Sequence, residues 1–305
     1  MSDQRNDAPE SLFFARDLEH QESKIYQTEY PAFQFRNIFP VNNEGGEFIT
    51  SISYKLYDRS GIAKVLSDYA TDWPLVNLSA KEERVPVKAI GDAAQFSADE
   101  VGAAQKTGTP LESEQIQNMR RGYEEKCDRV ADQGDPTGLG GWNTNPYIPI
   151  IAPSVSSGSG DDTWPNKTPD EIVTDLRLMY AAIVQNTKET HRPTALLISG
   201  ERALFFNQSR LSSTNSTLME FIMKAFPGLQ IFEWAKMATA AVGGGQRVSM
   251  LDRTPEVVEF KEPMPFKLYP LEKIPATLIY KYIGRGKVGG VVVRRPLAAV
   301  HMDNI

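Results

Sequence analysis

The sequence predicts an α+β protein, and three patterns along the chain support that class. Residues 46–57 alternate apolar and polar side chains, which is typical of a half-buried β-strand. Residues 109–134 repeat apolar side chains at spacings of three and four, which predicts one long one-sided helix. Residues 261–305 contain extended apolar runs, which indicate further strands. A region of alternating elements, residues 168–260, lies between the long helix and these last strands.

Composition restricts the classes of function. The chain has 305 residues, enough for one large core or two joined lobes, and its net charge of −6 argues against a protein whose main work is gripping nucleic acid. The only cysteine is Cys127, so no intramolecular disulfide can form, and three histidines add too few ligands for a Cys/His zinc site. The polar N-terminus and the lack of a membrane-length apolar run predict a soluble cytosolic protein.

The N-terminal region predicts an arm. Residues 11–41 carry many aromatic side chains without a sustained period, and Pro31 and Pro40 interrupt them. Such a segment is expected to pack its aromatic rings on another surface, either its own body or a neighbouring subunit. The candidates for contact with a neighbour are large apolar residues of this arm and of the hairpin tip described next: Phe13, Phe14, Tyr30, Phe33, Phe35, Phe39, Tyr69, Trp73 and Leu75.

A long hairpin is predicted after the arm. The strand at 46–57 is followed by a second strand-like run at 84–90, and the polar, turn-rich residues 58–83 lie between them. Connections of this length in a compact domain are usually functional. A hairpin that leaves the body exposes strand edges unless another chain covers them. We therefore expect it to reach a neighbouring subunit.

The long helix has recognisable ends. Thr109 is a candidate N-cap, Pro110 suits the first helical position, and Gly134 is a natural stop. At 1.5 Å per residue the helix spans roughly 35 Å. Its apolar stripe could belong to an ordinary surface helix or to a rigid strut that joins other parts of the protein. The stripe comprises Ile116, Met119, Tyr123, Cys127 and Val130.

A second lobe is predicted after the Gly/Pro/Ser-rich residues 134–167. Thr168 and Glu171 form a capping box ahead of a helix that ends near Glu189. Residues 194–199 then predict a buried strand, followed by a helical turn at 201–207 and a helix at 216–225. Two more strands are expected at 229–234 and 247–251.

Motifs for catalysis are weak throughout. Residues 284–289 match G-x-G-x-x-G by letters, but a strand follows them where a nucleotide site needs a helix. Cys127 lies on the apolar stripe, which favours a buried thiol over a nucleophile. Asp161 and Asp162 are more typical of a solvated loop than of a cation site. The Arg294–Arg295 pair is more typical of the surface end of a strand than of a phosphate site. The sequence therefore predicts no catalytic residue, cofactor or metal.

Several stretches carry a resemblance to a known family. They are FFARDLEH (13–20), YPAF and NIFPVNNE (30–44), SDYATDWPLVNLSAKEERVPVKAIGDAAQFSADEV (67–101), MRRGYEEKCDRVADQGD with GLGGWNTNP, and DDTWPNKTPDEIVTDL (161–176). Together they resemble the major capsid proteins of tailed bacteriophages, whose HK-ninety-seven-like fold encapsulin shells share. The resemblance covers nearly the whole chain.

The resemblance implies a structural protein with a defined division of the chain. It assigns residues 1–45 to an N-terminal arm, 46–95 to an extended loop over an adjacent subunit, 96–167 to a peripheral domain with a spine helix at 110–133, 168–260 to an axial domain, and 261–305 to long strands that return to it. Copies would form hexamers and pentamers in an icosahedral virion shell, assembled in the host cytoplasm.

The implied partners follow from this role. They are other copies of the chain, scaffold, portal and decoration proteins, and packaged DNA through non-specific contact only, with no membrane. An encapsulin-like compartment and, more remotely, an α/β enzyme centred on 168–260 are the alternatives. In a shell subunit, we expect the apolar stripe of the spine helix to pack on the C-terminal strands. Arg120, Arg121, Glu124 and Asp128 should then face solvent, the shell interior or another chain.

Overall fold

A computed structural model describes residues 33–60, 77–107, 111–156, 158, 160, 163–211, 216–275, 277–303 and 305. Six of the contact candidates lie outside these residues: Phe13, Phe14, Tyr30, Tyr69, Trp73 and Leu75. No described helix is both long enough and apolar enough to cross a lipid bilayer.

Helices and strands alternate along the second lobe, whereas elsewhere most strands follow one another directly along the chain. The helices are α1 (Phe35–Ile38), α2 (Ala98–Thr107), α3 (Leu111–Gln133), α4 (Pro169–Asn186), α5 (Gly200–Gln208) and α6 (Leu218–Ala225). The strands are β1 (Val41–Asn42), β2 (Ser51–Ser60), β3 (Asn77–Pro86), β4 (Lys88–Ser97), β5 (Ile150–Ile151), β6 (Ala195–Ile198), β7 (Gln230–Glu233), β8 (Arg247–Leu251), β9 (Val258–Lys261), β10 (Met264–Leu268), β11 (Glu272–Lys273), β12 (Ile279–Val288), β13 (Gly290–Val293) and β14 (Ala299–Asp303).

The hairpin differs in extent from its prediction. β2 pairs antiparallel with β3 over ten residues each, from Ser51 opposite Pro86 to Ser60 opposite Asn77. The second strand therefore begins seven residues before position 84, inside the predicted tip. Residues 77–83, which are mostly polar, form a strand because a two-stranded ribbon buries little surface, so hydrophobic alternation does not mark its length.

β4 belongs to a different sheet from the hairpin, although only Val87 separates it from β3. It pairs antiparallel with β12 along its whole length, and β10 and β11 pair with the other edge of β12. Residues 88–95 were assigned to the extended loop by the resemblance, and they lie in this four-stranded sheet instead. We call it the peripheral sheet. Ser97 caps α2 through reciprocal bonds with Glu100 (2.9 and 3.1 Å), which form a capping box.

The second lobe is built on a five-stranded sheet of order β5-β14-β8-β6-β7. Helices α4, α5 and α6 pack on it around a buried cluster that includes Trp164 and Phe206. α4 starts with the predicted capping box, in which Thr168 and Glu171 exchange hydrogen bonds. The last strand, β14, lies between β5 and β8, so the C-terminal residues complete this sheet. β9, at the end of the predicted 168–260 lobe, pairs instead with β1 and β13.

The spine helix α3 packs between these parts. Met119, Tyr123, Cys127 and Val130 are almost fully buried, and Ile116 is half-buried. The Tyr123 ring centroid lies 5.3 Å from that of Phe266 on β10. The stripe therefore faces the C-terminal strands and also β4.

The strands leave room for the helix where they carry glycine. A Cβ at Gly286 of β12 would come within 2.5 Å of the Tyr123 ring, so only glycine allows the ring to lie this close. Glycine on the strand thus sets the distance between α3 and the peripheral sheet.

Candidate subunit interface

Surfaces that could join copies of the chain begin with the hairpin. Ile52, Tyr54 and Leu56 share one half-buried face of β2, while the intervening residues are exposed. At its base the hairpin is held to the body, because the Arg294 guanidinium lies 5.5 Å from the centre of the Tyr54 ring. The phenol of Tyr54 donates to Glu83 at 2.6 Å across the ribbon. The hairpin is thus a two-stranded ribbon tied down at one end.

The aromatic residues of the arm that the structure describes do not form an intersubunit surface. Phe35 and Phe39 are completely buried in the chain's own core, which corrects their assignment as contact candidates. Phe35 lies 4.9 Å from Phe260, and Phe39 contacts Trp142 and Trp234 at 5.4 and 5.9 Å. The turn of helix at α1 folds these rings inward, where they lose the most contact with water. Phe33 is half-buried against the same core.

A charged network fastens the base of the arm to the spine helix. Arg36 donates to both carboxylate oxygens of Glu262 (2.6 and 2.9 Å) and to both of Glu124 (2.9 Å each). The Tyr123 hydroxyl also donates to Glu262, whose side chain is only 1% exposed. The pKa of Arg36 is raised, chiefly by its hydrogen bond to Glu262. Two elements distant in sequence are therefore joined through one buried carboxylate.

Burial also sets the protonation of the groups beside this network. It raises the pKa of Cys127 to about 12, so the buried side chain is a neutral thiol. Burial likewise raises the pKa of the Tyr123 phenol. Cys127 is therefore a packing residue of the core and not a nucleophile.

Asp128 corrects one expectation for the polar side of the spine helix. It is buried rather than solvent-facing, and its carboxylate accepts a hydrogen bond from the Trp234 indole at 3.1 Å. Burial raises the pKa of Asp128, although the Trp234 bond opposes that shift. Arg120 is exposed, whereas Arg121 and Glu124 are half-buried. The helix is therefore covered on more than its apolar stripe.

The loop before α4 is anchored by a buried ion pair that the sequence did not suggest. Lys167 and Asp175 are both fully buried and lie 2.6 Å apart. The same carboxylate accepts from the Trp164 indole at 2.9 Å and from the backbone N–H of Ser154 at 2.8 Å. Every contact converges on Asp175, so this group holds the segment that crosses between the lobes.

The described residues contain no group of three or more His, Cys, Asp or Glu side chains arranged to hold a metal ion. The nearest approach to a catalytic pair is Ser249 with His301, whose Nδ1 lies 2.7 Å from the serine hydroxyl. Both are buried, and burial, aided by Arg247, lowers the pKa of His301 to about 3. The pair is a packing contact inside the sheet, since no substrate can reach it.

Large apolar side chains remain exposed at several places on the described surface. Phe48, at the base of the hairpin, is 90% exposed, and Tyr147 and Val155 flank the edge strand β5. Val242 and Leu278 are similarly exposed, in turns of the second lobe and of the peripheral sheet. None of these five residues was a predicted contact candidate. The candidates were chosen by the density of aromatic residues in the arm, and that criterion does not select single apolar residues in polar loops.

An exposed ribbon, a spine-length helix and a sheet that the C-terminus completes define the HK-ninety-seven-like capsid fold, and solved structures match it. The capsid of Myoviridae phage XM1 superposes with a TM-score of 0.81 at 19% identity, covering 97% of this chain and 100% of the other. The capsid of the empty GTA particle gives 0.66 at 11% identity, over 93% and 94%. Mycobacterium phage Adephagia gives 0.62 at 10% identity, over 90% and 88%. At these identities the likeness establishes the fold.

The sequence itself identifies the family. The family described as "Major capsid protein" matches residues 61–305, which is most of the chain. The chain therefore belongs to the major capsid protein family, and it is a structural shell protein of the virion and not an enzyme. Comparison with curated proteins gave no match.

Proposed function

We propose that this chain closes into an icosahedral shell of pentamers and hexamers around a double-stranded DNA genome, assembled in the host cytoplasm. The observation that carries the proposal is the family match over residues 61–305 together with a ribbon that projects from the body. Contacts made by such a ribbon are heterologous, because one patch meets a different patch on the next copy, and they close into rings when the rotation permits. Many modest contacts per subunit then act together.

Division of labour within the subunit follows from the same proposal. Residues 1–45 act as the arm, the hairpin extends over an adjacent subunit, the peripheral sheet and spine helix form the wall, and the second lobe surrounds the capsomer axis. Scaffold, portal and decoration proteins are the expected further partners. The net charge of −6 suits a wall that encloses DNA through non-specific contact alone.

Negative-stain electron microscopy and sedimentation velocity of the expressed full chain test the shell. Closed particles of megadalton mass are expected, and particles from infected cells should protect DNA from nuclease. A protein that stays monomeric at every concentration and ionic strength would refute the proposal. Particles that hold a cargo enzyme and no DNA would identify an encapsulin-like compartment instead.

A further inference from the structure

The outer edge of β4 has backbone groups that no described strand satisfies. Among the described strands β4 pairs only with β12, over the ten residues Lys88–Ser97. The N–H of Ala98 donates to the carbonyl of Leu278, so in this register the even-numbered residues of β4 bond to β12. The odd-numbered residues then direct their N–H and C=O groups to the open edge. Ala93 and Ser97 have their N–H groups taken by the carboxylates of Asp92 and Glu100.

The side chains along this edge do nothing to block a partner strand. Natural edges are usually protected by lysine, proline or a bulge. Here the residues that face outward are Ala89, Gly91, Ala93 and Gln95, all exposed and uncharged. Ala89, Gly91 and Ala93, together with Asp92 and residues of β12, line a trough of about 410 Å³ on the face of the sheet opposite α3. Such an edge is suited to strand addition.

The wall of the trough that β12 forms carries two positively charged side chains. Lys281 and Arg285 stand on the trough side of β12, four residues apart. Gly91, which lies opposite Arg285, has no side chain, whereas Gln95 lies opposite Lys281, so a long acidic side chain on an added strand could reach Arg285 most directly. An acidic strand is therefore favoured over a basic one.

The spine helix restricts what kind of body can approach. α3 passes beneath β4, since a Cβ at Gly122 would lie 3.4 Å from the Asp92 carboxylate. A partner that brought its own helical layer under the joined sheet would meet α3. A partner strand must therefore project from its own subunit, with no helix packed on it. Among the described strands, the ribbon β2–β3 meets this condition, since no helix packs on it.

The outer edge of β3 matches β4 in length. Both strands have ten residues. The N–H of Val87 donates to the carbonyl of Thr50, so odd-numbered residues of β3 bond to β2 and even-numbered residues face outward. Glu82 is one of these outward residues, as are Arg84 and Pro86, and among the described residues it forms an ion pair with Arg84 alone, at 3.9 Å. Its carboxylate is thus available to a neighbouring copy.

We propose that β3 of one copy adds to the open edge of β4 of the next, with Glu82 reaching Lys281 and Arg285 across the small-residue trough. Each copy then supplies one donor edge and one acceptor edge, which is the head-to-tail contact that a closed ring needs. The inference rests on the proposed shell and names the contact by which the hairpin holds its neighbour.

A charge-reversal pair tests the contact in the full chain. Glu82→Lys and Arg285→Glu are each expected to lower the fraction of protein in particles at least tenfold, and the double variant should recover it to within about twofold of wild type. Arg285 stands opposite Lys267 on β10, so a glutamate there keeps a cationic neighbour within the subunit. Circular dichroism of each variant reports whether the subunit stays folded.

Two further variants test strand addition itself. Ala89→Pro removes an outward N–H without touching the β4–β12 ladder and should block assembly, whereas Ala89→Ser keeps the N–H and should assemble as wild type does. A cysteine at Glu82 combined with one at Ala89, Ala93 or Gln95 should give ladders of cross-linked copies with a short bifunctional thiol reagent. Cys127 is fully buried and stays silent. Positions 82 and 93 lie about 35 Å apart along the extended chain, so that bridge must join different copies.

The outcomes separate the two proposals. If the wild-type chain forms no particle, the proposed shell fails. If wild type assembles but Glu82→Lys and Ala89→Pro assemble equally well, or no cysteine pair cross-links, the β3–β4 contact is wrong while the shell stands.

Discussion

Removing the guanidinium of Arg36 should destabilise the subunit by about 2–3 kcal/mol. Among the described side chains, Arg36→Ala leaves only the Tyr123 hydroxyl as a partner of the buried Glu262 carboxylate. Breaking a fully buried pair by removing one partner costs about 3–5 kcal/mol. The Arg36 side chain is 35% exposed, so water replaces part of the lost contact and the lower value is expected. Urea unfolding of disassembled subunits, followed by tryptophan fluorescence, measures this change in the free energy of unfolding.

A double-mutant cycle shows whether the effect comes from the pair. Glu262→Gln removes the buried charge, so Arg36→Ala with Glu262→Gln should cost about 1–2 kcal/mol less than the sum of the two single changes. The control is Lys81→Ala, which breaks a 2.7 Å ion pair on the exposed ribbon and should leave the free energy of unfolding nearly unchanged. Equal small effects of Arg36→Ala and Lys81→Ala, or strict additivity in the cycle, would refute the reasoning.

Three more perturbations have defined outcomes. Gly286→Ala places a methyl group within 2.5 Å of the spine-helix tyrosine and should lower the free energy of unfolding by about 1–3 kcal/mol, whereas Gly102→Ala meets nothing within 4 Å and should not destabilise. His301 has its pKa lowered to about 3 by burial, so wild-type stability should be fully present above pH 6.5 and fall by about 1.4 kcal/mol per pH unit toward pH 3; His301→Gln should flatten that slope in urea titrations at several pH values. Lys167→Met leaves a buried carboxylate unpaired and should cost about 3–5 kcal/mol in thermal or urea unfolding, most of which adding Asp175→Asn should restore; a single variant as stable as wild type would contradict this.

Local signals predicted most of the helices and several strands because they act within a few residues. The capping box at Thr168 and Glu171 and the glycine at the end of α3 mark helix ends by the backbone groups that they satisfy. The apolar stripe of the spine helix was visible from its spacing, and the buried strand β6 from its apolar run. Such features need no knowledge of what lies across the core.

Contacts between residues far apart in the sequence were harder to predict from the sequence. Phe35 and Phe39 read as arm residues because proline interrupts their segment, yet one turn of helix is enough to fold both rings into the core. Asp128 sits at a polar position of the helix, and the Trp234 indole and the Lys236 ammonium, both on a distant segment, make its burial tolerable. A sequence pattern cannot report a partner 106 residues away.

The candidate interface was harder still, for a different reason. Contacts between copies depend on the surface of a second molecule, and the alternation of β3 and β4 says only that they are strands. The open edge of β4 became visible once its register with β12 showed which backbone groups face outward. The buried network of Arg36 and Glu262 was missed because neither residue lies in a motif.

The near-continuity of β3 and β4 has a mechanical consequence. Only Val87 separates the two strands, so tension on the hairpin from a neighbouring copy pulls β4 along its own length. Antiparallel hydrogen bonds run across the strands, and the ten residue pairs between β4 and β12 would therefore be loaded together in shear and not opened one at a time. The hairpin is accordingly a stiff tether, and a pull on its end is shared by the whole sheet on which the spine helix rests.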